Sequence, residues 1–146
     1  MSIDDRRTLT QYSCMRKTLI GLAIALFLAC DDGVVGTSHI SGDYELKTIN
    51  GASLPYTISG SGANKTEILD RVITLYNGGT YSERGHRRVT VNGQATTQDI
   101  TGAGSYSFFG TSVTMLSSDG SYERKGLFNE KAITIVEPGL TQVFSK

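Results

Sequence analysis

The sequence predicts an all-β domain, an antiparallel up-and-down meander that can remove its exposed edges by closing into a β-barrel. Three observations carry this. Thr, Ser, Val, Ile and Tyr crowd the chain after residue 40, and such residues fit a pleated, half-buried surface. The chain has 17 glycines against 2 prolines, and the glycines gather in turn signals: Asn50-Gly51, Asn77-Gly78-Gly79, Asn92-Gly93, Asp119-Gly120 and Pro138-Gly139. No stretch there repeats apolar residues at a helical period, so little helix is expected.

Strands are expected between the turn signals, at about 43–49, 54–59, 67–76, 79–91, 94–101, 104–109, 112–117, 121–128, 131–136 and 140–145. The Gly/Ser-rich run Ser59–Asn64 reads as a loop. Apolar residues along the strands form the expected core, from Leu46, Ile49, Ile73 and Leu75, through Val89, Val91, Phe108, Val113, Leu116 and Phe128, to Ile133, Ile135 and Phe144. Whether those side chains fill the barrel or leave room for one small ligand is open at this level.

A tripeptide recurs at Gly42-Asp43-Tyr44, Gly79-Thr80-Tyr81, Gly104-Ser105-Tyr106 and Gly120-Ser121-Tyr122. A turn glycine followed two residues later by an aromatic marks strand entry, with the ring packed on the sheet and the hydroxyl in water. A ring of ligand-facing tyrosines is the alternative, and packing is the expectation.

The hairpin around Asn92-Gly93 is sharp enough to read residue by residue. A two-residue turn puts Val91 opposite Gln94, Val89 opposite Thr96, Arg88 opposite Thr97 and His86 opposite Asp99. His86 and Asp99, with Arg84, Arg87 and Arg88 nearby, are the candidate polar pair. They could form a pH-sensitive or anion-binding site. An exposed cross-strand pair worth under about 1 kcal/mol is the plainer reading.

The N-terminal part follows different rules. Arg16-Lys17 precede an uncharged apolar run from Thr18 to Ala29, followed by Cys30 and Asp31-Asp32-Gly33. The run is too short for a membrane span, which needs about 20 residues, and suits the apolar core of a secretory signal. With Ala29 before Cys30, the stretch resembles a bacterial lipoprotein signal ending in a lipobox. That resemblance implies a lipid on Cys30, cleavage before it, and a domain held at a membrane of the bacterial envelope, inner or outer. The expected organisation is an upstream extension over 1–14, with Met15 as the start, a signal peptide over 15–29, a lipidated cysteine and flexible tether over 30–40, and the barrel over 41–146.

Charge and motifs narrow the functional classes. Residues 30–146 carry ten Lys/Arg and twelve Asp/Glu without a basic stripe, which argues against a nucleic-acid partner. The chain has 2 cysteines, Cys14 in the upstream extension and Cys30 at the lipid site, so no disulfide framework is expected. Only His39 and His86 are available as imidazoles. No metal set, catalytic triad, nucleophile elbow or phosphate loop is evident, so neither a cofactor nor an enzymatic activity is expected.

Residues 41–146 resemble the lipocalin-like lipoproteins of bacteria. The likeness is carried by Gly42–Tyr56 (a Gly-x-Tyr-x-Leu strand, then Asn-Gly-x-x-Leu-Pro), by Ile73–Tyr81, and by the terminal Thr141-Gln142-Val143-Phe144. Tyr44 stands where lipocalins carry tryptophan, which this chain lacks. The resemblance implies that the meander closes into a lipocalin-like β-barrel of about eight strands and fixes no activity; a barrel that binds or carries a small apolar or amphipathic molecule at the envelope is the expectation it favours. A filled barrel serving protein interaction, its partner unspecified, is the alternative.

Overall fold

The computed structural model describes residues 39–146. The expectations for 1–14, 15–29 and 30–38, Cys30 among them, lie outside the described residues. Ten strands follow one another: β1 Gly42–Ile49, β2 Ala52–Ser53, β3 Tyr56–Ser61, β4 Asn64–Leu75, β5 Thr80–Val91, β6 Gln94–Phe109, β7 Ser112–Ser117, β8 Glu123–Asn129, β9 Ala132–Glu137 and β10 Leu140–Ser145.

Neighbours pair antiparallel in the order β1–β10–β9–β8–β7–β6–β5–β4. β1 then pairs with β4 from Gly42↔Leu75 to Glu45↔Val72, which closes eight strands into a barrel. The short β2 hangs on β1, and β3 pairs with the first half of β4. The predicted all-β meander is therefore the observed fold. The Asn-Gly turns explain its sharp corners: Asn50 (φ 51°) and Gly51 (φ 78°), like Asn92 (φ 51°) and Gly93 (φ 80°), take the paired left-handed conformations of a type I′ hairpin.

At one end the barrel is plugged. Ile40, which the sequence placed in the tether, is fully buried, and Tyr44 beneath it donates its hydroxyl to the Ile40 carbonyl at 2.6 Å. Lys146 Nζ lies 5.0 Å from the centre of the Tyr44 ring and donates to the Ser41 carbonyl. Tyrosine thus closes this end with no tryptophan. Tyr81 and Tyr106 are buried as well, Tyr106 donating to the Tyr76 carbonyl at 2.8 Å, whereas Tyr122 is half exposed. The expectation of wet hydroxyls fails for Tyr44, Tyr81 and Tyr106: the O–H groups of Tyr44 and Tyr106 find backbone acceptors, and the Tyr81 oxygen is buried.

Two strand expectations need correction. The break expected at 102–103 does not occur, because β6 runs through it for 16 residues. A Cβ at Gly104 would collide with the Leu116 carbonyl and come within 2.8 Å of the Tyr81 ring, so this glycine admits close approach inside a strand and makes no turn. The loop expected at Ser59–Asn64 is instead the ends of β3 and β4, joined through Gly62-Ala63.

β4, β5 and β6 outrun their partners. With β3 they continue past the open end as a four-stranded overhang, whose two hairpin tips are tied by Gly93 N–H to the Ala63 carbonyl and Asn92 N–H to Asn64 Oδ1, both at 2.9 Å. Val91 sits at this tip and Leu116 on the outer wall, so both are exposed, against expectation. Ile68, Met115 and the three inner tyrosines take core places the sequence reading did not give them. Leu46, Ile49, Ile73, Leu75, Val113, Ile133, Ile135 and Phe144 are buried as expected, with Phe108 and Phe128 packed against them.

Candidate functional site

The predicted hairpin register is the observed one: His86 pairs with Asp99, Arg88 with Thr97, Val89 with Thr96 and Val91 with Gln94. The closer partner of His86 is nevertheless Asp70 on β4. An irregularity between Ile68 and Asp70 shifts the β4–β5 register, so that Ile68 faces Arg87 while Asp70 faces His86. The bulged backbone passes so close over β5 that any side chain at Gly85 would strike the Asp70 carbonyl. Nδ1 of His86 lies 2.9 and 3.0 Å from the two Asp70 carboxylate oxygens, and Nε2 lies 3.8 Å from Asp99.

The neighbouring arginines do not converge on this imidazole. Arg87 donates from Nε to Gln98 at 2.9 Å. Arg88 donates to Glu67 at 2.9 Å; this bond and Lys65 hold the Glu67 carboxyl below its ordinary range. Arg84 joins Asp70, Val72, His86, Asp99 and Ile100 around a shallow outer groove of about 290 Å³. His86 and both aspartates are more than half exposed, so each pairing is worth at most about 1 kcal/mol. Nothing in the sequence marked Asp70, because the extra residue of a bulge leaves no local signature.

A second constellation, inside the barrel, was not anticipated. Arg124 on β8 is 2 % exposed and donates from Nη2 to Glu83 of β5 at 2.7 Å. Glu83 also pairs with Arg71 of β4, Arg71 donates to Gln142 of β10 at 2.8 Å, and Gln142 donates to Glu137 of β9 at 2.7 Å. The result is a polar chain through five strands, with two cations matched by two carboxylates. Burial opposes the charge of Arg124, but Glu83, with Tyr81 and Tyr122 adding to it, more than offsets this and raises the guanidinium's pKa.

Rings of Tyr81 and Tyr122 lie 5.7 and 5.5 Å from the Arg124 guanidinium carbon. Its Nε and Nη1 find no hydrogen-bond acceptor. The polar chain follows the apolar layer by one inward step along the strands: Glu83 comes two residues after Tyr81, Arg71 two before Ile73 and Gln142 two before Phe144. A sequence signal did exist: Glu83 shares the inward parity of Tyr81 on one strand. Hydrophobicity alone cannot recognise a charge that faces inward.

Among the described residues no group of three or more His, Cys, Asp or Glu is placed to hold a metal ion. No protein-family model matches this chain, and no curated protein is significantly similar to it.

Proposed function

We propose that this protein is a lipid-anchored lipoprotein of a bacterial cell envelope whose barrel is a filled scaffold, acting through its outer surface and rim. The anchor is supported by the lipobox-like stretch Met15–Cys30. The observation that carries the scaffold reading is the occupied interior. Tyr44, Ile73, Ile133 and Phe144 are completely buried, and the Arg124–Glu83–Arg71–Gln142–Glu137 chain crosses above them. An apolar guest entering there would separate buried charges from their partners, at a cost of several kcal/mol.

A second reading keeps a small amphipathic ligand, held at the open end between the polar chain and the overhang. The two unpartnered nitrogens of Arg124, Nε and Nη1, favour it, since buried donors usually find an acceptor. One experiment separates the two: native and denatured mass spectrometry of the protein isolated gently from its host. A denatured mass of residues 30–146 plus lipid supports the anchor. Equal native and denatured masses support the filled scaffold, and an extra mass lost on denaturation overturns it in favour of a carried ligand. Cys30→Ser should abolish processing and membrane retention; unchanged retention would refute the anchor.

A further inference from the structure

We infer that the outer face of β6–β9, running from Phe109 beside the plugged end to Val136 near the β9–β10 turn, is a bilayer-contact surface, so that the barrel lies against the membrane and does not swing free on its tether. This rests on the lipid-anchor reading of Cys30. The three most exposed large apolar residues of the described domain are Phe109 (79 %), Val136 (60 %) and Leu127 (59 %). The register gathers them: Phe109 faces Ser112, Ser112 faces Leu127, and Leu127 faces Thr134, two residues before Val136 on the same face. Ser112, Lys125, Leu127, Thr134 and Val136 line one shallow groove of about 220 Å³. Small hydroxyl residues separate the apolar ones, and Lys125, its ammonium paired with Glu123 at 3.0 Å, can lay its methylenes along them with the charged head in the headgroup layer.

Position identifies the occupant. The first described residue, His39, packs edge-on against Phe108 and Phe128 at 5.1 and 6.1 Å. These are the chain neighbours of Phe109 and Leu127, with the opposite strand parity. The chain therefore enters the domain directly beside the patch. Cys30 lies nine residues before His39, which limits its distance to about 30 Å even for a fully extended chain. A lipid on Cys30 holds this end at a bilayer whatever else is present. At the roughly millimolar effective concentration a short tether imposes, a patch too weak to bind membranes unaided is engaged most of the time. The lipid supplies the affinity, and the patch supplies the orientation.

The protein has no tryptophan, so one introduced residue reports alone. Phe109→Trp, Leu127→Trp and, at the far overhang tip, Val91→Trp would each be placed in the lipidated mature protein. Each would be reconstituted in phosphatidylcholine/phosphatidylglycerol vesicles with brominated acyl chains. The expected result is at least twofold quenching with a blue shift at 109 and 127, and none at 91. Agreement of the two patch positions guards against a single poorly folded variant. Co-flotation with vesicles but no quenching at 109 and 127 overturns the contact surface and leaves the anchor standing. Blue-shifted emission that bromine does not quench overturns it too, by showing that protein (a second copy or another partner) covers the patch. Failure to float, with an unmodified Cys30 in the denatured mass, overturns the anchor and the contact surface with it.

Discussion

Arg124 of β8 and Glu83 of β5 meet at 2.7 Å with side chains 1 % and 2 % exposed, a buried ion pair joining strands that are not neighbours in the sheet. Such a pair costs desolvation that its attraction only partly returns, so its presence says little about net stability. Breaking it is another matter. Arg124→Met should lower unfolding stability by about 3–5 kcal/mol, because Glu83 then keeps only Arg71 inside the barrel. Adding Glu83→Leu should recover much of that loss, because Arg71 is partly exposed and keeps Gln142. Urea midpoints of the two variants check both outcomes.

Tyr44 ties the plug to the barrel floor through its hydrogen bond to the Ile40 carbonyl. Tyr44→Phe should cost about 1 kcal/mol. Burial, with Tyr106 adding to it, pushes the Tyr44 hydroxyl up to about 12 from an ordinary 10. The folded-state value is raised, so this contribution is complete below pH 10 and lost as pH rises from 10 to 12. Spectrophotometric titration should show a late tyrosinate step that Tyr44→Phe removes.

Asp119 in the β7–β8 turn accepts from the Ser117 hydroxyl at 2.6 Å and from the backbone N–H and hydroxyl of Ser121. These bonds, the Ser117 hydroxyl first, hold its carboxyl down to about 2. A lowered folded-state value contributes stability above pH 3.8 that disappears as pH falls toward 2. Ser117→Ala should raise the Asp119 value and move the start of acid unfolding upward, as read by carboxyl chemical shifts and circular dichroism.

Gly104→Ala should destabilise by about 1–3 kcal/mol, since the added methyl must displace the Leu116 carbonyl or the Tyr81 ring. Ala103→Ser, one residue away on the outer wall, should change stability by less than about 0.5 kcal/mol. Thermal melts of the pair would separate close approach inside the barrel from a general sensitivity of β6.

At the outer site, Asp70→Asn should alter the imidazole resonances of His86 more than Asp99→Asn does, because Nδ1 is bonded to Asp70 while Asp99 lies 3.8 Å from Nε2. Equal effects would show that the two carboxylates share the ring equally in solution.

The sequence by itself determined what local chemistry controls. β-forming residues between turn signals set the strands, Asn-Gly pairs set the hairpins, and the Asn92-Gly93 turn determined the register that brings His86 opposite Asp99, since a two-residue loop leaves no freedom of pairing. Tertiary structure decided what depends on ring closure. Pairing of Gly42 with Leu75 assigns each strand an inside, and this turned Glu83, Arg124 and Gln142 inward while leaving Leu116 in water. The bulge that delivers Asp70 to His86 arises where β4 must follow both the barrel and the overhang. Glycine looks alike wherever the backbone is unusual, so the sequence marks Gly104 as a turn residue, and only the carbonyl of Leu116 against it shows which need it meets. A buried charge is tolerable only beside its partner, and Glu83 and Arg124 stand 41 residues apart in the chain.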